Sequence, residues 1–270
     1  MTTQPAQEKV ALPEDRAKAD TDGFQTEQVA TVAGGHFMHD TFSAFLPPLL
    51  NAIKESLGAT YTAAGALVVF TWLPSLLNPF IGYLADRMSL RYFVILAPAA
   101  TATLMSSMGL VNSYFALSLL LLAAGVSIAA FHAPAPAMIA RTSGNRVGKG
   151  MSFFMASGEL GRTVGPVVVA GAVLWWGLDG VWRLAPIGWL TSGVLYWRLH
   201  DVKASPDAEP PSLLGMIPRM REVFPVLIWI MLPKSLMLVA LAVFLPTYMD
   251  AVQGLSLIHI SEPTRLESKS

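Results

Sequence analysis

The sequence predicts an all-α membrane protein with seven transmembrane helices. Of its 270 residues, 53% are hydrophobic and only 13% are charged, and the mean hydropathy is +0.52. Soluble domains carry about a quarter charged residues, so this composition excludes a soluble enzyme, a disordered chain and a nucleic-acid-binding protein. Basic and acidic residues balance at 18 each. The chain has no cysteine, which excludes disulfides and thiolate chemistry and leaves the redox compartment open.

The charged residues divide the chain into a tail, helical spans and loops. Residues 1–26 are polar without an apolar run, which predicts a disordered cytoplasmic tail rather than a signal peptide. A helix needs about 20 mostly apolar residues to cross about 30 Å of hydrocarbon. The charge-poor intervals therefore predict spans over 29–53, 56–85, 92–140 (two spans, divided at Asn112-Ser113), 150–176, 182–199 and 223–249.

These spans predict a domain order of a six-helix transmembrane bundle over 27–200, a polar cytoplasmic linker over 201–222, and one further helix within 223–254. Lys and Arg favour cytoplasmic loops. Loops two-three, four-five and six-seven are basic, whereas the other three offer only Lys54 and Arg183. We therefore expect a multi-pass protein of the inner (plasma) membrane with its N-terminus in the cytoplasm and residue 254 outside.

The last segment, 255–270, changes character directly after the seventh span. Leu255 to Arg265 corresponds, residue for residue, to the in-frame translation of a transposon-based sequencing-library adaptor. Eleven consecutive matches are improbable by chance, although a genuine short polar tail is the alternative. We therefore expect the native sequence of this fragment to end near Gly254, and we assign no function to His259.

Ionisable side chains inside predicted spans are the candidates for function, because each costs about 2.5–3.5 kcal/mol to insert. His36 and Asp40 are four residues apart on span one and share a helical face, with His39 at its edge. Glu159 and Arg162 are three apart on span five and can pair. Each pair is either a proton-coupling, substrate-facing site or a structural contact that locks neighbouring helices together.

Two further residues are predicted to line the path. His132 lies near the cytoplasmic end of span four, beside Pro134 and Pro136, where it either acts in transport or caps a broken helix. Lys234 lies midway along span seven without an acidic neighbour within four residues, so we expect it to face a carboxylate elsewhere or an anionic substrate. A stripe of small residues, Gly158, Gly161 and Gly165, predicts close helix packing.

Motifs for enzyme chemistry are missing from the sequence. It contains no His-Glu-x-x-His, no Gly-x-Ser-x-Gly, no phosphate-binding Gly-rich loop and no acidic cluster for a metal. We therefore predict no enzyme activity, no cofactor and no metal site. An intramembrane hydrolase is the least favoured alternative.

Two motifs resemble those of the major facilitator superfamily. Gly82-Tyr-Leu-Ala-Asp86-Arg87 is similar to the family's Gly-x-Leu-Ala-Asp-Arg signature, although Ser89 and Leu90 replace the Gly and first Arg that precede Arg91. Gly161-Arg-Thr-Val-Gly165-Pro166 resembles the core of the family's antiporter motif. The resemblance implies that Gly82, Asp86, Arg87 and Arg91 form a cytoplasmic gate.

Within that superfamily the fosmidomycin resistance protein branch is the most similar. His36-Phe-Met-His-Asp40 resembles the branch's start of span one, and Phe131-His132 resembles its Phe-His-Pro-Glu, with Ala133-Pro134 in place of Pro-Glu. This resemblance covers about Glu27 to Gly254. It implies two six-helix bundles that rock about a central site, of which this chain holds the first and one helix of the second.

The sequence therefore predicts a truncated secondary transporter, a proton-coupled exporter of small molecules or drugs that works by alternating access. Asp40 and Glu159 are the expected protonatable groups, with His36, His132, Arg162 and Lys234 along the path. The expected partners are a small-molecule substrate, protons and the lipid bilayer, with no nucleic acid, and the full-length protein is expected to be monomeric. The alternative is a non-transporting membrane scaffold or receptor.

Overall fold

The computed structural model describes residues 23–87, 91–200 and 221–237, and within them the chain is helical without a strand. The predicted all-α class is therefore confirmed. The chain divides into two units, residues 1–209 and 210–270. In the second unit, residues 221–237 form a helix. Most of the predicted tail (1–22), most of the predicted linker (201–220) and the segment attributed to adaptor lie outside the described residues.

The first unit contains nine α-helices within its described residues. They are α1 (Thr26–Ser43), α2 (Leu46–Leu57), α3 (Tyr61–Trp72), α4 (Asn78–Arg87), α5 (Arg91–Ser106), α6 (Tyr114–His132), α7 (Ala135–Thr142), α8 (Val147–Trp176) and α9 (Ala185–Leu199). Short 3₁₀ turns join several of them. Helix α1 begins at Thr26, where the predicted polar tail ends.

Three predicted spans are broken into two helices, and each break lies beside a proline. Span one divides after Ser43, and Pro47 and Pro48 lie in the first turn of α2. Span two contains a 3₁₀ turn that includes Pro74. Span four divides at Ala133-Pro134. Proline lacks the N–H that a helix interior needs, and membrane helices tolerate such breaks where neighbours or a cavity satisfy the freed backbone groups.

Several helical stretches of the described chain are long and apolar enough to cross a bilayer. Three of them are Tyr61–Leu84, Arg91–Leu110 and Tyr114–Thr142. A fourth candidate is a pair that bends by 118° at its break, Gly144–Trp176 with Asp179–Leu199. That bend lies between the predicted spans five and six. Exposed apolar side chains such as Phe115, Leu174 and Trp175 cover the outside of the bundle.

Helix α1 lies at the centre of the bundle, where it packs against α8, α5 and α9. Two clusters of buried apolar residues fill the interior of the described part. One surrounds Phe42, Phe45 and Leu121, and the other surrounds Val32 and Phe131. The backbone N–H of Gln25 donates to the carbonyl oxygen of Thr142 at 2.8 Å, so the start of α1 and the end of α7 lie at the same end of the bundle.

Candidate functional site

The carboxylate of Asp40 is the centre of the candidate site. It lies on α1 with none of its side chain exposed. Its Oδ2 atom is 2.8 Å from NH1 of Arg162 and 3.2 Å from Nε2 of His36. Its Oδ1 atom is 3.1 Å from Nε2 of His132. Three of the helices, α1, α6 and α8, therefore bring basic groups to one buried acid, which compensates for the removal of that charge from water.

His36 is held in a fixed orientation on the face of α1 that it shares with Asp40. Its Nδ1 donates to the carbonyl oxygen of Phe154 on α8 at 2.8 Å. The imidazole stacks on the Phe154 ring with a centroid distance of 3.9 Å and an interplanar angle of 17°. Phe131 of α6 stacks on His36 at 5.6 Å. Because of these contacts the Nε2 edge of His36 faces Asp40.

His132 is the last residue of α6, where the break at Pro134 ends the helix. Beyond this break the helical stretch runs on to Thr142, close to the predicted end of span four at residue 140. The ring of His132 meets that of His36 edge to face at 5.2 Å. Its side chain is 28% exposed, so His132 both contacts the buried carboxylate of Asp40 and reaches the surface of the first unit.

Arg162 on α8 bridges two carboxylates. NH1 donates to Asp40, while NH2 donates to Oε1 of Glu159 at 2.8 Å and Nε contacts Oε2 at 3.4 Å. The predicted pairing of Glu159 with Arg162 is therefore present in the structure. Arg162 is 42% exposed and Glu159 is 67% exposed. The outer half of this bridge therefore lies at the surface of the first unit, whereas Asp40 does not.

His39 is a residue that the sequence placed only at the edge of the face and did not include among the path residues. The structure buries it completely. Its ring stacks on Phe131 at 4.3 Å and meets His132 edge to face at 5.4 Å. Neither of its ring nitrogens has a hydrogen-bond partner among the described residues. The signal in the sequence for including His39 in the cluster was its position three residues after His36.

Close approach of α8 to α1 makes this cluster possible. A Cβ atom added at Gly161 would lie 2.3 Å from the carbonyl oxygen of Phe37, and one at Gly165 would lie 2.4 Å from that of Thr41. At Gly158 it would lie 2.3 Å from the His36 ring. The small residues predicted to allow close helix packing therefore lie against α1, which lets Arg162 reach Asp40.

The residues predicted to form a cytoplasmic gate lie on α4 and at the start of α5, whereas the cluster lies on α1, α6 and α8. Gly82 is on α4, with open space where a Cβ would be. Asp86 and Arg87 belong to the last turn of α4. Arg91 begins α5 with its guanidinium 5.1 Å from the centroid of the Tyr92 ring. The gate stays a prediction.

Lys234, the last of the predicted path residues, belongs to the second unit. It lies on the helix of residues 221–237. Its role in the path also stays a prediction.

The cluster also offers three donor atoms for a metal ion. One atom each of His36, Asp40 and His132 lie within 4.8 Å of one another. However, the guanidinium of Arg162 is 2.8 Å from the same carboxylate and would repel a second cation. The arrangement therefore suits a proton better than a metal ion. The sequence predicted neither a metal site nor a cofactor.

Comparison with known proteins decides the family. The model of the Major Facilitator Superfamily matches residues 32–262. This chain belongs to that superfamily. The match extends to residue 262, so its last positions overlap the segment that we attribute to adaptor.

Two curated relatives are similar to the chain. The fosmidomycin resistance protein of Escherichia coli K12 is 20% identical over 240 residues, which cover 85% of this chain and 58% of the relative. The uncharacterized MFS-type transporter YfnC of Bacillus subtilis 168 is 24% identical over 139 residues, which cover 50% of this chain and 33% of the relative. The chain thus spans less than two thirds of the length of either relative. No solved structure matches it.

Membership in this superfamily confirms part of the functional prediction. The chain is a multi-pass membrane protein of a transporter family, and it is not an enzyme. The family also agrees with the helical architecture and with the two motifs at Gly82 and Gly161.

Proposed function

We propose that the full-length protein is a proton-coupled exporter of small molecules that works by alternating access, with the Asp40 cluster as its proton-coupling site. The observation that carries the proposal is the fully buried carboxylate of Asp40, which is contacted by one arginine and two histidines. Ionisable groups inside a membrane bundle typically mark ion or substrate pathways.

The charge of the cluster supports a proton as the coupling ion. With neutral histidines, the cluster contains the two carboxylates of Asp40 and Glu159 and the single guanidinium of Arg162. One further positive charge would bring the net charge of the cluster to zero. The histidines or Asp40 can accept that charge as a proton. The partial exposure of His132 and Arg162 supports a route for the proton out of the cluster.

Export and alternating access rest on the relatives and on the helix breaks. The Escherichia coli relative is named for resistance to fosmidomycin, and a membrane transporter gives resistance when it moves the compound out of the cell. The breaks at Pro74 and Pro134 are places where helices can bend as the transporter changes conformation. In this proposal Gly82, Asp86, Arg87 and Arg91 form the cytoplasmic gate, and Lys234 lines the path.

The rest of the proposal concerns the whole molecule. We infer that the full-length protein is longer than this chain, is monomeric and lies in the inner membrane with its N-terminus in the cytoplasm. Its residues from Leu255 onward are attributed to adaptor sequence. A non-transporting scaffold or receptor would use the same helices for packing alone.

Accumulation of labelled fosmidomycin in cells tests the proposed function. Cells that lack their own exporters would express the full-length protein or its variants at matched levels. We expect the wild-type protein to lower accumulation and a protonophore to restore it. Asp40→Asn should behave like the empty vector, whereas Asp179→Asn, a carboxylate change in the 3₁₀ turn Asp179–Leu184, should behave like wild type. Unchanged efflux by Asp40→Asn would contradict the proposal.

A further inference from the structure

We propose that the exchangeable proton lies between Nε2 of His36 and Oδ2 of Asp40, and that Phe154 and Gly158 are positioning residues that hold the imidazole for this exchange. The inference rests on the proposed function and gives it an atomic position. It also assigns a role to two residues of α8 that the sequence did not include in the path.

The backbone of α8 determines which ring nitrogen of His36 carries a fixed proton. Nδ1 is 2.8 Å from the carbonyl oxygen of Phe154. A carbonyl oxygen only accepts hydrogen bonds, so Nδ1 carries a proton in this contact. In neutral imidazole one nitrogen is protonated and the other has a lone pair. Nε2 is therefore the nitrogen that gains and loses a proton.

The contact between Nε2 of His36 and Oδ2 of Asp40 then requires a second proton. Nε2 is 3.2 Å from Oδ2 of Asp40. Without a second proton on the ring, and with Asp40 ionised, a lone pair would face a carboxylate oxygen at hydrogen-bonding distance. A proton that enters from water and binds either atom replaces this repulsion with an attraction and supplies the partner that Nε2 lacks among the described residues. When the proton leaves to water, Nε2 of His36 and Oδ2 of Asp40 repel each other, which favours a larger distance between the two side chains.

Phe154 and Gly158 hold the ring in place from one side of α8. The Phe154 ring stacks on the imidazole at 3.9 Å. One turn later, Gly158 leaves the space that the ring occupies, because a Cβ there would lie 2.3 Å from Cε1 and 2.6 Å from Nε2 of His36. The atoms nearest that Cβ all belong to the His36 side chain, so a methyl group at this position displaces the imidazole directly.

Other ionisable groups around His36 come from its own helix and from two neighbours. Helix α1 contributes Asp40 and His39, α6 contributes His132 at 5.2 Å between ring centroids, and α8 contributes Arg162 and Glu159. Helices α5 and α9 face this part of α1 with apolar side chains such as Ile95 and Leu195. Arg198 of α9 pairs instead with Glu27 at the first turn of α1.

Nitrogen NMR of the 270-residue chain, labelled with ¹⁵N in its histidine rings, tests the proton position without a transport assay. The chain has five histidines, and His36→Gln identifies the His36 signals. We expect the neutral imidazole of His36 to carry its proton on Nδ1, which contacts the Phe154 carbonyl oxygen. Neutral His36 with its proton on Nε2 instead would overturn the proposal.

A matched pair of glycine variants on α8 tests the positioning residues. Gly158→Ala should remove the fixed Nδ1 proton signal and give a mixture of tautomers, whereas Gly171→Ala, with open space at its Cβ, should match wild type. In the full-length protein, Gly158→Ala should also shift the pH profile of transport. An unchanged His36 spectrum in Gly158→Ala overturns the positioning role. Transport without proton coupling in wild type would instead overturn the proposed function, whatever the NMR result.

Discussion

Arg162 donates a hydrogen bond of 2.8 Å from NH1 to Oδ2 of Asp40, across a separation of 122 residues in the sequence. This contact joins α8 to α1 at the candidate site. The same guanidinium binds Glu159 on its other edge. The two halves of the bridge differ in burial, since Asp40 is fully buried and Glu159 is mostly exposed. They should therefore differ in their contribution to stability.

Removing Arg162 should cost more than removing Glu159. Arg162→Met keeps much of the length of the side chain but takes a charged donor from buried Asp40, which should lower the free energy of unfolding by about 1.5–3 kcal/mol. Glu159→Gln disturbs an exposed ion pair worth about 0–1 kcal/mol. Denaturant unfolding of detergent-solubilised protein measures both. Equal losses would show that the burial of Asp40 does not control the strength of the bridge.

Close packing of α8 on α1 predicts a strong effect of one added methyl group. Gly161→Ala would place a Cβ 2.3 Å from the Phe37 carbonyl oxygen, which is backbone and cannot rotate away. Overpacking of this kind costs about 1–3 kcal/mol. Gly171→Ala has space and should be neutral, or stabilising by up to about 1 kcal/mol because alanine favours helices. Thermal unfolding of the two variants should separate them, and similar midpoints would argue against the close contact.

Local sequence spacing predicted the pairs within each helix but not the contacts between helices. His36 with Asp40 and Glu159 with Arg162 follow from the helical period, because residues three or four apart share a face. The contact between Asp40 and Arg162 depends on how α1 and α8 pack, and the glycine stripe indicated close packing without naming the partner helix. The role of the Phe154 carbonyl oxygen had no sequence signal, since every residue has a carbonyl.

The structure shows where helices break beside prolines. The break after His132 places this residue at the end of α6 and against Asp40. From the sequence, the same residue was placed near the end of its span. The helical stretch continues through α7 to Thr142, within two residues of the end that the spacing of charges predicted for span four.

The basic loops predict the orientation of the bundle in the membrane. Asn112 and Asn145 are both exposed asparagines in connections between helices, and the chain has no native cysteine. In intact cells, Asn112→Cys should react with a membrane-impermeant thiol reagent and Asn145→Cys should not, because Arg141, Arg146 and Lys149 favour the cytoplasm. Both should react after permeabilisation. The reverse pattern in intact cells would overturn the orientation.

The adaptor-like segment predicts missing coding sequence. Amplification of the source DNA across the codon for Gly254 should reveal a reading frame that continues with about five more apolar segments of about 20 residues each. The relatives point the same way, since the matched region covers 58% of the Escherichia coli protein. A natural stop codon soon after Gly254 in the source DNA would contradict this prediction.

Proton movement in proteoliposomes tests the central claim most directly. Full-length protein would be reconstituted with a pH-sensitive dye inside, and a gradient of a compound that it exports from cells would be imposed. We predict that wild type moves protons against the compound and that Asp40→Asn abolishes this movement while it folds and inserts normally, because Asn keeps the size and hydrogen-bonding capacity. Asp40→Leu should also lower the yield of folded protein. Unaltered proton movement in Asp40→Asn, with a loss of folded protein only in Asp40→Leu, would show that Asp40 is a structural contact.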